Sequence, residues 1–166
     1  MSVAMSPIQL VKILAACVAL CFAGTPHAST CAVTSAVLSF GPYDGLAAGA
    51  NLSPGLVRVS CTKDGSLSVE TVNVNLQLLP SAPGAAGSRK IDSGGSTLSL
   101  DIHTDLLRTR LWGDGTLGTF TLSGTVLLVV PNSTVIVEFP VYGRIPAHLA
   151  SPAGAYTGQF SILLTF

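Results

Sequence analysis

The sequence predicts an all-β sandwich, and three observations carry that expectation. Apolar and polar residues alternate over several short runs, the period of a half-buried strand. Glycine and proline, 17 and 10 of 166 residues, fall between those runs instead of clustering. No stretch sustains the period of an amphipathic helix.

The chain begins with a segment of another kind. Lys12 precedes the apolar run Ile13 to Gly24, and small and polar residues follow through Pro26-His27-Ala28-Ser29. A basic start, a short apolar middle and a small residue at the cut are the marks of a secretory signal peptide. The run falls short of the roughly 20 apolar residues that cross a bilayer as a helix. The reading is a signal peptide over 1–28 and one domain over 29–166, with no transmembrane segment after cleavage. Cys17 and Cys21 leave with the leader.

Cys31 and Cys61 remain. An isolated pair in an oxidising compartment is expected to form one disulfide, and neither cysteine has a second ligand at metal spacing.

The elements follow in order. Cys31 to Phe40 is a first strand, closed by the turn Gly41-Pro-Tyr-Asp-Gly45, and Leu46 to Pro54 reads as a loop. Val57, Val59 and Cys61 alternate with polar partners. Leu67 and Val69 keep odd phase while Val72, Val74, Leu76 and Leu78 keep even phase, so a bulge or break lies between. Pro80 to Gly87 is a loop, and Leu98, Leu100 and Ile102 mark the next strand. Leu106–Leu111 and Leu117–Val130 flank Trp112-Gly-Asp-Gly-Thr116, where Asp-Gly predicts a hairpin turn. Pro131-Asn132 stops the second of these runs. Val135 to Val141 alternate again, Ala147 to Ala153 is a loop, and Phe160, Ile162, Leu164 and Phe166 share one face of a last strand.

Composition narrows the function. Charged residues are 10% and apolar residues 48%, with a formal net charge of zero. A surface so lean in charge has to be hidden or shared with a partner. The basic residues form no run, which argues against nucleic acid and against anionic membrane. Of the two histidines after the leader, His103 falls on the outer face of a strand and His148 in a loop. Neither a Gly-x-Ser-x-Gly elbow nor a His-Glu-x-x-His helix is present. Asp114 and Asp44 are turn residues, since the oxygen ladder of a calcium loop is missing. Trp112 is expected to pack, and Arg108 and Arg110 to share one solvated or inter-sheet face. Catalytic residues, metal ligands and cofactor sites are all read as none, so an enzyme is not expected.

Several groups then line up: Cys31; Phe40-Gly41-Pro42-Tyr43-Asp44; Val57-x-Val-x-Cys61; Arg89; Arg108-Thr109; Trp112-Gly113-Asp114-Gly115-Thr116; Tyr142-Gly143-Arg144-Ile-Pro-Ala147; and Gly154-Ala-Tyr156. In this order they resemble the spore coat protein U domain family, which includes pilin subunits of archaic chaperone–usher pili. Leu100 and Ile102 depart from it, standing where family members often carry tyrosine.

The resemblance implies an immunoglobulin-like sandwich lacking its final strand. A periplasmic pilus chaperone lends a strand, and at the outer-membrane usher another pilus subunit replaces it. The acceptor-groove edge would be Phe160, Ile162, Leu164 and Phe166, the apolar strand on which the sequence stops. The implied location is the cell surface, reached through the periplasm, with no nucleic acid and no small-molecule substrate. Cleavage after Ala28 leaves only Ser29 and Thr30 before Cys31, too little for a donor strand, so a tip or accessory subunit is expected. The alternative is a self-contained secreted binding or adhesion module.

Overall fold

A computed structural model describes residues 28–80, 89–147 and 151–166. Residues 1–27 of the expected 1–28 leader, most of the expected Pro80–Gly87 loop, and His148 lie outside the described residues.

Among the described residues the chain forms eight strands: β1 Thr30–Leu38, β2 Asn51–Thr62, β3 Glu70–Leu78, β4 Arg89–Ser93, β5 Ser96–His103, β6 Leu122–Leu128, β7 Thr134–Ile145 and β8 Ile162–Thr165. They form a five-stranded sheet, β1-β2-β7-β5-β4, and a three-stranded sheet, β6-β3-β8. Every ladder between them is antiparallel. A side-chain period of two puts alternate residues on the inner face of each sheet. Val57, Val59, Cys61, Leu98, Leu100, Phe139 and Val141 come from one sheet, and Val74, Leu76, Leu78, Val126 and Leu128 from the other, all buried in one core. Gly124 lets the two layers close, since a Cβ there would stand 2.9 Å from the Phe139 ring.

Two prolines sit inside long strands without breaking them. Pro54 of β2 lies just past the last β1 partner, Gly55↔Leu38, and Pro140 of β7 lies past the last β5 partner, His103↔Tyr142. On that side no neighbouring strand remains to miss the absent N–H.

The structure moves several expected boundaries. β2 starts at Asn51, inside the segment read as a loop, because Asn51 to Pro54 pair with Ile145 to Tyr142. Leu67 and Val69 are exposed residues before β3, so the phase change is a break. β4 has one core aliphatic, Ile91, and its strand signal is correspondingly weak. The tight hairpin lies at Gly94-Gly95, between the paired ends Ser93 and Ser96, with both glycines at positive φ (54° and 91°). That is the backbone a two-residue hairpin turn needs.

Asp114-Gly115 instead belongs to an ordered loop between β5 and β6. Only single bridges, His103↔Leu111 and Trp112↔Phe120, interrupt it, and the second is parallel. Arg108 is not on a strand but in the left-handed region (φ 55°). Arg108 and Arg110 part company, the first lying 5.9 Å from the Tyr142 ring centre and the second 4.4 Å from that of Phe120. His103 is buried, not exposed, with Nδ1 3.3 Å from the Tyr142 carbonyl oxygen.

Candidate functional site

The site is built around Trp112. Its indole Nε1 donates to the Leu76 carbonyl at 3.1 Å, and the next residue, Gly113, accepts the Leu78 amide at 3.1 Å. The β5–β6 loop is thereby fastened to β3. Asp114 shapes the loop from within. It accepts the Thr116 hydroxyl at 2.7 Å and the Thr116 amide at 2.9 Å, and these bonds hold its carboxyl below the usual carboxylate range. Gly115 takes positive φ (87°) beside it. Arg89, buried at the start of β4, donates Nη2 to the Leu78 carbonyl at 3.1 Å. Burial lowers its pKa and the Asp114 charge opposes that shift.

Over this floor lie two sheet edges that have no strand partner among the described residues. β1 ends the five-stranded sheet and β8 ends the three-stranded one. Their inward side chains are only half buried: Cys31 and Val33 on β1, Ile162 and Leu164 on β8, with Phe160 just before it. Their partners one strand further in are almost fully buried, Val59 and Cys61 at 0% and Leu76 at 0% exposure. The contrast marks an apolar seam that the other described residues do not cover.

The register shows where the backbone groups of these edges point. Leu79 donates to the Ser161 carbonyl at 2.9 Å, so the β3–β8 ladder bonds through Gln77↔Leu163 and Asn75↔Thr165. In an antiparallel ladder the residues between such pairs turn both N–H and C=O the other way. Ile162 and Leu164 therefore aim their backbone groups at the open edge and their side chains at the seam. On β1, Cys31 and Cys61 are directly opposed and disulfide-bonded, with Cα atoms 4.1 Å apart. That close spacing is of the kind found in non-hydrogen-bonded pairs. Cys31 and Val33 thus also turn their backbone groups outward, until the register shifts between Val33 and Ser35.

Between the edges opens a cavity of about 450 Å³. Leu38 and Ala36 wall it from β1, Phe160 and Ile162 from the β8 side, and Val57, Leu78, Ile102, Val141 and Trp112 form its floor. An apolar trough beside backbone groups that have no partner among the described residues has the shape and chemistry to fit an extended strand.

A polar cluster stands at the opposite end of the seam. The Lys63 side chain is fully buried, and its Nζ reaches Ser66 Oγ at 2.8 Å, Asp64 at 3.2 Å and Glu70 at 3.4 Å. The Ser29 hydroxyl donates to Glu70 and accepts the Asp64 amide, joining the start of β1 to the start of β3. Amide and hydroxyl bonds from Ser66 hold the Asp64 carboxyl down to about 2. Nothing in the Lys63-Asp-Gly turn reveals from sequence that its lysine is buried.

The remaining expected motif residues fall around the seam's upper end. Phe40 packs where a Gly143 Cβ would stand, so the Tyr-Gly-Arg motif needs its glycine for β1 to close over β7. Gly41 takes positive φ (71°), and the Tyr43 backbone pairs in both directions with Gly154. The Tyr43 ring meets Tyr156 edge-on at 6.0 Å. Asp44 accepts the Leu46 amide at 2.9 Å, a turn contact. Tyr142 and Arg144 lie on the outer face of β7, away from the seam, and Phe166 is exposed at the end of β8. The structure thus brings Trp112, Phe160 and Ile162 together and leaves Asp44, Tyr142 and Arg144 as scaffold.

Among the described residues, no group of three or more His, Cys, Asp or Glu side chains gathers as a metal site, and no helix is long and apolar enough to cross a membrane. The family model for the Spore Coat Protein U domain matches residues 18–162. No curated protein matches the chain.

Proposed function

Since the chain belongs to the Spore Coat Protein U domain family, which is associated with chaperone–usher pilus and coat subunits, we propose that it is a secreted structural subunit that accepts a β-strand from a partner. The observation that carries this reading is the seam between β1 and β8. Its two edges present backbone groups from Ile162, Leu164, Cys31 and Val33 over an apolar trough. One inserted strand would bond to an edge and bury the half-exposed Phe160, Ile162 and Leu164. Because these side chains are already half covered, completing their burial contributes about half of the 1.5–3 kcal/mol of a full burial each. In this reading the sandwich is immunoglobulin-like and incomplete, residues 29–166 are the mature domain, and the cavity above Trp112 takes a large apolar side chain of the donor.

The partners that follow are a periplasmic chaperone, then an usher and a neighbouring subunit. Placement at the tip or as an accessory rests on cleavage after Ala28, which leaves Ser29 and Thr30 ahead of the disulfide-tied Cys31. The family match starts at residue 18, inside the stretch read as leader. The N-terminal residue of the secreted protein therefore decides whether that stretch is discarded or kept as an extension.

The test is purification of the tagged subunit from the periplasm with its co-purifying proteins. A stoichiometric β-rich partner, released by a synthetic donor-strand peptide, supports the reading. A soluble, partner-free, stable monomer supports the self-contained binding module instead.

A further inference from the structure

We propose that removal of the leader creates a ligand for the chain's own surface: the new Ser29 α-ammonium pairs with Glu70 and ties the mature N-terminus across the end of the seam. The proposal rests on the secretion reading above and names the residues that would keep this terminus from extending to a neighbour.

Three observations lead to it. The Ser29 hydroxyl donates to Glu70 Oε2 and accepts the Asp64 amide at 3.3 Å, so this residue is held from two sides. Its backbone nitrogen is joined to that hydroxyl through its own Cα and Cβ and is therefore held near Glu70 as well. In the precursor this nitrogen is a neutral amide; after cleavage it is a primary amine, with an ordinary pKa of about 7.7–8.0, and cationic near neutral pH.

The charges already present leave room for one more cation. Glu70 and Asp64 bring two carboxylates, and Lys63 brings one ammonium. Glu70 Oε1 accepts Ser66 Oγ at 3.3 Å and Lys63 Nζ at 3.4 Å, while Oε2 faces Ser29. The Glu70 side chain is 28% exposed, so a pair formed here is partly shielded from water. Exposed pairs contribute little, and shielding of this kind strengthens the attraction. The cavity beside it is lined by Ser29, Glu70, Val72 and Phe166, so a terminus fixed at Ser29 sits against the start of β3, across from the residue that follows β8.

The test uses the secreted subunit, with its N-terminal residue read by mass spectrometry. Two changes are combined in a double-mutant cycle: Glu70→Gln, and a Gly-Gly extension ahead of Ser29 that moves the ammonium away. In the Glu70 background the extension is expected to lower the folding equilibrium constant about five- to tenfold, and in the Glu70→Gln background to change it by less than twofold. Equal effects in both backgrounds overturn the proposal.

A second readout needs no reversible unfolding. Acylation of the α-amine near neutral pH is expected to be at least about fivefold slower in the folded subunit than in urea, with that protection lost in Glu70→Gln. An amine equally reactive in folded and unfolded protein overturns the clasp. A mature chain beginning at another residue also overturns it, while leaving the strand-accepting seam to stand or fall on the co-purification result.

Discussion

Leu79 donates its amide to the Ser161 carbonyl at 2.9 Å, and this one bond sets the facing of β8. It places Leu163 in a bonded pair with Gln77, and leaves Ile162 and Leu164 turned to the open edge. A shift of one residue would reverse the arrangement, putting the apolar side chains in water and the free backbone groups against β3.

Proline substitutions separate these two kinds of position. Leu163→Pro removes an N–H that bonds to β3, and should detach β8 from its neighbour. Leu164→Pro removes an N–H that faces outward, which an edge strand tolerates. The expected outcome is a secreted Leu164→Pro subunit that captures its partner far more weakly than Leu164→Ala does. Quantitative co-purification from the periplasm, with circular dichroism of the recovered protein, checks both.

Trp112 should matter twice. Trp112→Phe loses the bond to the Leu76 carbonyl and should destabilise by about 1–2 kcal/mol. Trp112→Ala should cost about 3–5 kcal/mol and deepen the 450 Å³ cavity whose floor the indole forms. Urea unfolding midpoints give the order wild type, Trp112→Phe, Trp112→Ala.

The disulfide holds an edge strand that has one neighbour, β2, among the described residues. Cys31–Cys61 spans a separation of 30 residues, and Cys31→Ser with Cys61→Ser should cost roughly 3–4 kcal/mol on the loop-entropy account. Because β1 is also one wall of the seam, the same double variant should lose partner capture. Unfolding in the presence and absence of reductant gives the first quantity, and co-purification the second.

Asp64 gives a pH dependence of defined sign. Its carboxyl is held down to about 2 from a usual 3.8, first by the Ser66 amide and then by the Ser66 hydroxyl. A folded pKa below the unfolded one contributes stability that is fully present above about pH 4 and lost as pH falls toward about 2. Asp64→Asn should therefore flatten the stability profile within that window and leave its slope above about pH 5 unchanged. Urea midpoints measured from pH 6 to pH 2 check this.

Legibility from sequence followed the period-two pattern. Val57-x-Val-x-Cys61, Leu98-x-Leu-x-Ile102 and Val135 to Val141 each announce a strand, because each buries one face only, while of the Phe160 to Phe166 run only Ile162–Thr165 is strand and Phe166 is exposed. β4 was missed because Arg89-Lys-Ile-Asp-Ser holds a single aliphatic and fills the interior with an arginine stem, which no apolar pattern records. Asp114-Gly115 carries a hairpin-turn signal but makes none, whereas Gly94-Gly95 makes one. Both pairs offer positive φ, but the Asp114 carboxylate binds Thr116 and winds the chain into a wider loop. The motif residues around Trp112 were legible, and their neighbourhood with Phe160 was not, since strand order across two sheets leaves no trace in local alternation.

The most direct measurement is backbone amide hydrogen exchange at Ile162 and Leu164, in the secreted subunit alone and with its co-purified partner. The account predicts rapid exchange at these two amides in the free subunit, slow exchange at Leu163 in both states, and strong protection of Ile162 and Leu164 once the partner is bound. Slow exchange at Ile162 and Leu164 in a partner-free, monomeric subunit would contradict it, because the edge of β8 would then already be paired within the chain.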